Sequence, residues 1–164
     1  GYIARADGSL DWLDEANSKV PQGEDCGYAA FIATVDVLLM GRHTYEKVLS
    51  FGEWPYTGTR VIVLSSQHIA IPAHAEWRNQ TPSALLETLY AEGVRHVYVD
   101  GGVTIQRLLR ESLVNNLIIT TIPVLLGGGR PLFGELAKDI HLELQSSRAY
   151  DFGFVQSSYR LLHN

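Results

Sequence analysis

Val35-Asp36-Val37-Leu38-Leu39-Met40-Gly41-Arg42-His43-Thr44-Tyr45-Glu46 passes from an apolar run to a polar helix start at a single glycine. Residues 37–40 are apolar without alternation and stop at a turn residue, the pattern of a strand buried on both faces. Gly41 lets the backbone turn tightly or approach a ligand closely. Thr44 is placed to cap a helix over residues 45–49, with Glu46 in its first turn. Strand, glycine, cation and helix start together can hold a phosphate, because free backbone N–H groups and the positive helix end attract the anion and Arg42 adds a bidentate donor. The same residues also describe an ordinary strand-to-helix turn with a solvated arginine.

Outward from this stretch, further strands and helices alternate. Residues 1–4 read as the tail of a strand, and Asp7-Gly8 as a turn. Residues 9–22 carry Trp12, Leu13 and Pro21 without a clean period, which predicts a long loop, either an active-site lid or an exposed connector. Residues 23–34 read as a helix on the spacing of Tyr28, Phe31 and Ile32 among alanines. Residues 51–58 form a loop, residues 60–65 a second buried strand, and residues 75–80 a short edge strand. Pro82 opens a helix that Gly93 ends. Residues 96–100 form a third internal strand, and a helix follows over residues 104–111. Residues 117–125 read as a long strand, residues 132–136 as a short helical turn, and residues 142–149 and 152–162 as a C-terminal antiparallel hairpin. This order predicts a mostly parallel sheet covered by helices and finished by antiparallel strands. One domain over residues 1–164 is expected, since no linker, repeat or low-complexity segment interrupts it.

The chain has 164 residues, 46% of them hydrophobic, and a formal net charge of -5. That balance argues against a general binder of nucleic acid or acidic membranes, while leaving room for a local basic pocket. The single cysteine, Cys26, excludes an intramolecular disulfide framework and a cysteine-rich zinc site. With no recognisable leader or membrane-spanning run, a cytoplasmic location is expected. His43, His68, His74, His96, His141 and His163 are scattered and form no ligand pair at helical spacing, so no metal is expected.

Three strands end in residues suited to meet a ligand: Gly41-Arg42-His43-Thr44, Leu64-Ser65-Ser66 and Gly101-Gly102-Val103-Thr104. In open α/β sheets, ligands gather at the carboxyl ends of the strands. If these ends are neighbours, two helix starts, hydroxyl donors and a guanidinium meet, which suits a phosphorylated dinucleotide. A Rossmann Gly-x-Gly-x-x-Gly and a P-loop are both absent.

Met40-Gly41-Arg42-His43-Thr44-Tyr45-Glu46, Val63-Leu64-Ser65-Ser66 and Val99-Asp100-Gly101-Gly102, in that order, resemble dihydrofolate reductase and its relatives. Pro123 followed by Gly127, Gly129, Pro131, Leu132 and Phe133 resembles the subgroup that shares the fold of the riboflavin-biosynthesis (RibD) C-terminal reductase domain, as do residues 1–4 with Asp7-Gly8 and Asp11-Trp12-Leu13. The resemblance spans essentially the whole chain. It implies a three-layer α/β/α fold of dihydrofolate-reductase type, with a mostly parallel mixed sheet and a C-terminal antiparallel hairpin.

The resemblance further implies NADPH as cofactor. Arg42, His43 and Thr44, with Gly41 before them, match the segment that holds the 2′-phosphate and pyrophosphate in that family. Leu64, Ser65 and Ser66 match the segment around adenine and its ribose phosphate. Gly101, Gly102, Val103, Thr104 and Ile105 match the glycine turn and helix start at the pyrophosphate, and Ala4 a backbone position near the nicotinamide. Asp25 lies at a spacing before Gly41 similar to that of the family's substrate-binding acid. It is either a catalytic carboxylate, orienting substrate or relaying a proton, or a helix-terminus acid. Trp12, a candidate substrate-binding residue, either shields the nicotinamide from water or belongs to the loop's own core. The zinc deaminase signature often fused to this reductase is absent, and Asn115-Asn116-Leu117 stands where relatives often carry Asp-Glu-Leu.

These readings predict an NADPH-dependent oxidoreductase resembling 5-amino-6-(5-phosphoribosylamino)uracil reductase, with hydride transfer to a small heterocyclic or sugar-like substrate. Dihydrofolate reductase activity and a non-catalytic nucleotide-binding module on the same fold stand as alternatives. A homodimer is expected, with no nucleic-acid or membrane partner.

Overall fold

The computed structural model describes residues 1–71 and 74–162. Its elements in chain order are β1 (Tyr2–Ala4), α1 (Asp11–Asn17), α2 (Tyr28–Ile32), β2 (Val37–Gly41), α3 (Arg42–Leu49), β3 (Arg60–Leu64), β4 (Glu76–Arg78), α4 (Pro82–Ala91), β5 (Val97–Asp100), α5 (Gly102–Arg110), β6 (Asn116–Thr121), β7 (Arg130–Pro131), β8 (His141–Ala149) and β9 (Val155–Leu162). They group into two compact units, Ala29–Glu111 and the combination of Gly1–Tyr28 with Ser112–Asn164. The α/β class is as expected: one unit carries a four-stranded parallel sheet, the other antiparallel strands.

The parallel sheet has the order β4-β3-β2-β5. Val37, Leu38, Leu39 and Met40 are wholly buried, so both faces of β2 are covered, as its unbroken apolar run demands. Leu38 and Met40 cluster with Val61, Val63 and Tyr45, and Trp54, Tyr56, Ile69, Ile71 and Tyr98 pack against that cluster. Each such side chain contributes about 1.5–3 kcal/mol on burial, enough for the centre of the sheet to fix where its strands end. At the edge, Arg60 ties β3 to Glu76 of β4 and to Glu92 just beyond α4, each at 2.7 Å. Thr81 caps α4 by accepting the Ala84 N–H at 3.3 Å, and Pro82 occupies the first turn as expected.

Asp36 locks the entry to β2. Its Oδ2 accepts the backbone N–H groups of Arg95 and His96, both at 2.8 Å. These bonds favour the carboxylate and hold the Asp36 pKa below its ordinary value. A depressed folded-state pKa means stabilisation that is present above the unfolded value, about 4, and lost as pH falls through the folded value. The urea midpoint of Asp36→Asn is therefore expected below that of the parent at pH 7, with the gap narrowing as pH falls below 4. A gap independent of pH would show that the carboxylate charge is not what stabilises the corner.

In the other unit, β6-β9-β8 form an antiparallel sheet, and β1 pairs with β7. The C-terminal hairpin of β8 and β9 is as expected, turned by residues 150–154 with Gly153 at φ 94. Several boundaries differ from expectation. Residues 9–22 contain α1 rather than only loop; Ala16 is buried, and Arg5 pairs with Asp11 at the helix start through bonds of 2.6 and 2.8 Å. That pairing holds the Asp11 carboxyl down to about 2.

The helix expected over residues 23–34 is confined to Tyr28–Ile32. Gly23, Cys26 and Gly27 have φ of 87, 53 and 81, which no helix accommodates. Glu24 and Asp25 stabilise these turns by accepting the N–H groups of Cys26 and Gly27, at 2.7 and 2.8 Å. β6 ends at Thr121, two residues before Pro123, which has no N–H to continue a ladder. Residues 132–136 are not helical; Leu132 donates its N–H to the Gly1 carbonyl at 2.9 Å, extending the β1–β7 pairing. Among the described residues the strands group as the parallel β4-β3-β2-β5, the antiparallel β6-β9-β8 and the β1–β7 pair.

Candidate functional site

In register, the parallel strands bring the three expected segments together. Leu64 at the end of β3 pairs with Gly41 at the end of β2, and Met40 pairs with Asp100 at the end of β5. α3 departs from β2 at Arg42, and α5 departs from β5 at Gly102. Two helix N-termini therefore follow directly from adjacent strand ends. Neither carries a side-chain cap, so the N–H groups of the first turns lack that internal acceptor.

The helix start differs from expectation. Thr44 does not cap α3; the cap position is Gly41, with φ -86 and ψ 166, and Thr44 lies inside the first turn. Its hydroxyl is used elsewhere. A Cβ on Gly101 would overlap Thr44 Oγ1, and a Cβ on Gly41 would come within 2.6 Å of Thr104 Oγ1. The relationship is reciprocal: each strand-end glycine receives a threonine from the helix that follows its neighbour. Gly101 also has φ 94, a left-handed conformation that disfavours a side chain. Thr104 is buried, whereas Val103 is 76% exposed. Gly102 and Ile105 are half-buried beside it. The result is a small-residue bed beside two helix starts without side-chain caps, a chemistry that suits an anion.

Polar side chains flank the bed. Arg42 donates through Nη1 to Gln67 Oε1, and its Nε lies 3.4 Å from Glu46 Oε1. His43, largely exposed, places Nδ1 3.4 Å from Glu46 Oε2. Ser65 orders the loop after β3: its Oγ donates to the Gln67 carbonyl at 2.9 Å and accepts the Gln67 N–H at 3.1 Å. Its carbonyl accepts the Trp77 indole N–H at 3.1 Å. Ser66 is exposed, and Leu64 is buried.

Asp100 was quoted in the glycine motif but given no role from sequence, because an acid closing a strand looks like ordinary turn chemistry. Its surroundings change that reading. Burial raises the carboxyl above the ordinary aspartate value, opposed only in part by a hydrogen bond from the Gly101 N–H. A carboxyl whose charged form is disfavoured at a strand end is a candidate hydrogen-bond or proton donor. Glu46 and Gln67 were likewise missed as partners of Arg42; an arginine and a glutamate four residues apart on a helix were the available signal for the first.

The remaining expected residues lie in the antiparallel unit. Ala4 is buried in β1 opposite Arg130, and a Cβ on Gly129 would overlap the Ala4 carbonyl oxygen. Trp12 lies in α1, with a buried indole N–H that has no acceptor among the described residues. Asp25 is exposed and belongs to the turn before α2 rather than to a helix start.

Among the described residues no three His, Cys, Asp or Glu side chains gather where they could hold a metal ion. His163 lies outside the described residues. No helix of the described residues is long and apolar enough to cross a membrane.

Comparison with known proteins adds to this geometry. The model of the RibD C-terminal domain matches residues 1–156. The uncharacterized protein YwjB of Bacillus subtilis (strain 168) is 36% identical over 155 residues, covering 92% of this chain and 86% of its own. A crystal structure from Shewanella sp. PV-4, given a provisional role in riboflavin biosynthesis, is 38% identical with a TM-score of 0.92, covering 99% of this chain and 93% of the other. The Thermotoga maritima diaminohydroxyphosphoribosylaminopyrimidine deaminase/5-amino-6-(5-phosphoribosylamino)uracil reductase shares the fold at a TM-score of 0.72 and 15% identity; the similarity covers 99% of this chain and 53% of that one.

Proposed function

Because the chain belongs to the RibD C-terminal domain family, we propose that it is an NADPH-dependent reductase whose substrate resembles the aminouracil of riboflavin biosynthesis. The observation that carries this reading is the pair of uncapped helix N-termini at adjacent strand ends, each opened by a glycine that cannot accept a side chain without a shift. The residues present fit a dinucleotide phosphate, and the bound cofactor would supply the hydride that reduces a C=N or C=O bond.

In this reading Gly41, Gly101, Gly102, Val103, Thr104 and Ile105 offer backbone N–H groups and close approach to a pyrophosphate. Arg42 and His43 answer a 2′-phosphate, with Thr44 shaping the floor against Gly101. Leu64, Ser65 and Ser66 border the adenosine. Burial disfavours the charged form of Asp100, which suits its carboxyl to hand a hydrogen bond or a proton to the group being reduced. For Ala4, Trp12 and Asp25 the reading rests on the resemblance alone.

Absorbance of NADPH tests the proposal, with 5-amino-6-(5-phosphoribosylamino)uracil, dihydrofolate and simple carbonyl compounds as acceptors. The aminouracil is expected to drive oxidation. Asp100→Asn is expected to lower kcat by at least about tenfold, in line with loss of general acid catalysis, and to leave the NADPH Kd within about twofold. NADPH binding without oxidation by any acceptor would instead make the protein a nucleotide-binding module. Oxidation by dihydrofolate alone would move it to the other reductase class.

A further inference from the structure

We propose that Glu46 sets how strongly this site prefers a nucleotide bearing a 2′-phosphate, by occupying in the free protein the position between Arg42 and His43 that the phosphate would take. The inference rests on the reductase reading above and deepens it.

Each oxygen of the Glu46 carboxylate lies near one of the two side chains assigned to the phosphate. Oε1 lies 3.4 Å from Arg42 Nε, and Oε2 lies 3.4 Å from His43 Nδ1. The carboxylate thus stands between the two side chains that the reductase reading assigns to the phosphate. Gln67 behaves differently. It accepts from Arg42 Nη1 through a neutral amide and is itself held by Ser65, so it orients the guanidinium without neutralising it. The arginine is aimed by one neighbour and partly neutralised by the other.

A 2′-phosphate arriving at Arg42 must either turn Glu46 aside or bear its repulsion; a nucleotide with a free 2′-hydroxyl meets neither cost. Glu46 is 53% exposed at its side chain, and ion pairs of this kind are weak. The carboxylate therefore acts as a graded attenuator of 2′-phosphate recognition rather than a block. Position 46 was read from sequence only as a favourable acid in a helix first turn, which explains its presence without predicting any effect on nucleotide choice.

Titration of NADPH and NADH by quenching of intrinsic tryptophan fluorescence, in the parent and in Glu46→Gln, separates the two. Glu46→Gln is expected to tighten NADPH about three- to fivefold and to change NADH by less than about twofold, the size expected for releasing a surface ion pair and its like-charge repulsion. The gain is expected to shrink as salt rises. Glu46→Asp, which keeps the charge, is expected to stay closer to the parent ratio than Glu46→Gln does. An unchanged or reduced NADPH-to-NADH preference in Glu46→Gln, with the parent binding NADPH, overturns this inference and leaves the reductase reading intact. Failure of the parent to bind either nucleotide overturns both.

Discussion

Gly101→Ala is expected to destabilise the protein by about 2–4 kcal/mol and to abolish nucleotide binding in whatever fraction remains folded. Two costs combine. The φ of 94 at Gly101 penalises any side chain, by about 1–2 kcal/mol for a left-handed conformation. The new Cβ would also overlap Thr44 Oγ1, on a helix start that the buried Tyr45 anchors in the core. A control separates the terms: Gly58 has φ 84 but nothing within 4 Å of its added Cβ, so Gly58→Ala should show the conformational cost alone. Thr44→Ala in the Gly101→Ala background removes the overlapping hydroxyl and should recover part of the loss. Chemical denaturation of the parent and these three variants measures all of this. A Gly101→Ala protein no less stable than Gly58→Ala would mean that the strand-end glycine is not held against the neighbouring helix.

Arg42→Ala is expected to weaken NADPH about 10- to 100-fold, the range for losing charge-assisted hydrogen bonds to a phosphate, while changing NADH less than about threefold. The guanidinium is already aimed: Gln67 accepts from Nη1, and Ser65 holds Gln67 by two hydrogen bonds. The guanidinium itself then needs little reorganisation on binding, whatever Glu46 must do, which is why the effect should be large for a half-exposed side chain. Arg42→Lys keeps the charge but not the fork, and should fall between the two. Isothermal titration with both nucleotides reads the ratio directly. Equal losses for NADPH and NADH would remove the 2′-phosphate from Arg42.

The strand-to-helix transition at Gly41 was legible because burial of β2 needs an unbroken apolar run and the run stops where the helix begins. The meeting of the three strand ends was legible only through topology. Alternating strands and helices imply parallel pairing, and parallel pairing in register sets Leu64 beside Gly41 and Asp100 beside Met40. What residue spacing could not show was where side chains turn once the strands are paired. Thr44 looked like a helix cap because threonine at a polar helix start usually is one; its hydroxyl instead faces a glycine that lies 57 positions later in the chain. Asp100 needed its burial to become interesting, and burial comes from residues distant in sequence. The loss of helix at residues 23–27 has a local cause, yet it was hidden, since Glu24 and Asp25 are as suited to a helix start as to the turns they form. α1 was missed because its apolar positions are few and Trp12 and Leu13 are adjacent rather than spaced along one face.

In the proposed reading, Gly41, Arg42, Thr44, Ser65 and residues 101–105 form one cradle for a phosphorylated dinucleotide. Titration of NADPH into 15N-labelled protein, followed by amide chemical shifts, tests it most directly. Saturable shifts are expected to concentrate at those residues, largest at the N–H groups that open α3 and α5. Saturable binding that leaves these amides unmoved, or no binding at millimolar NADPH, would contradict it.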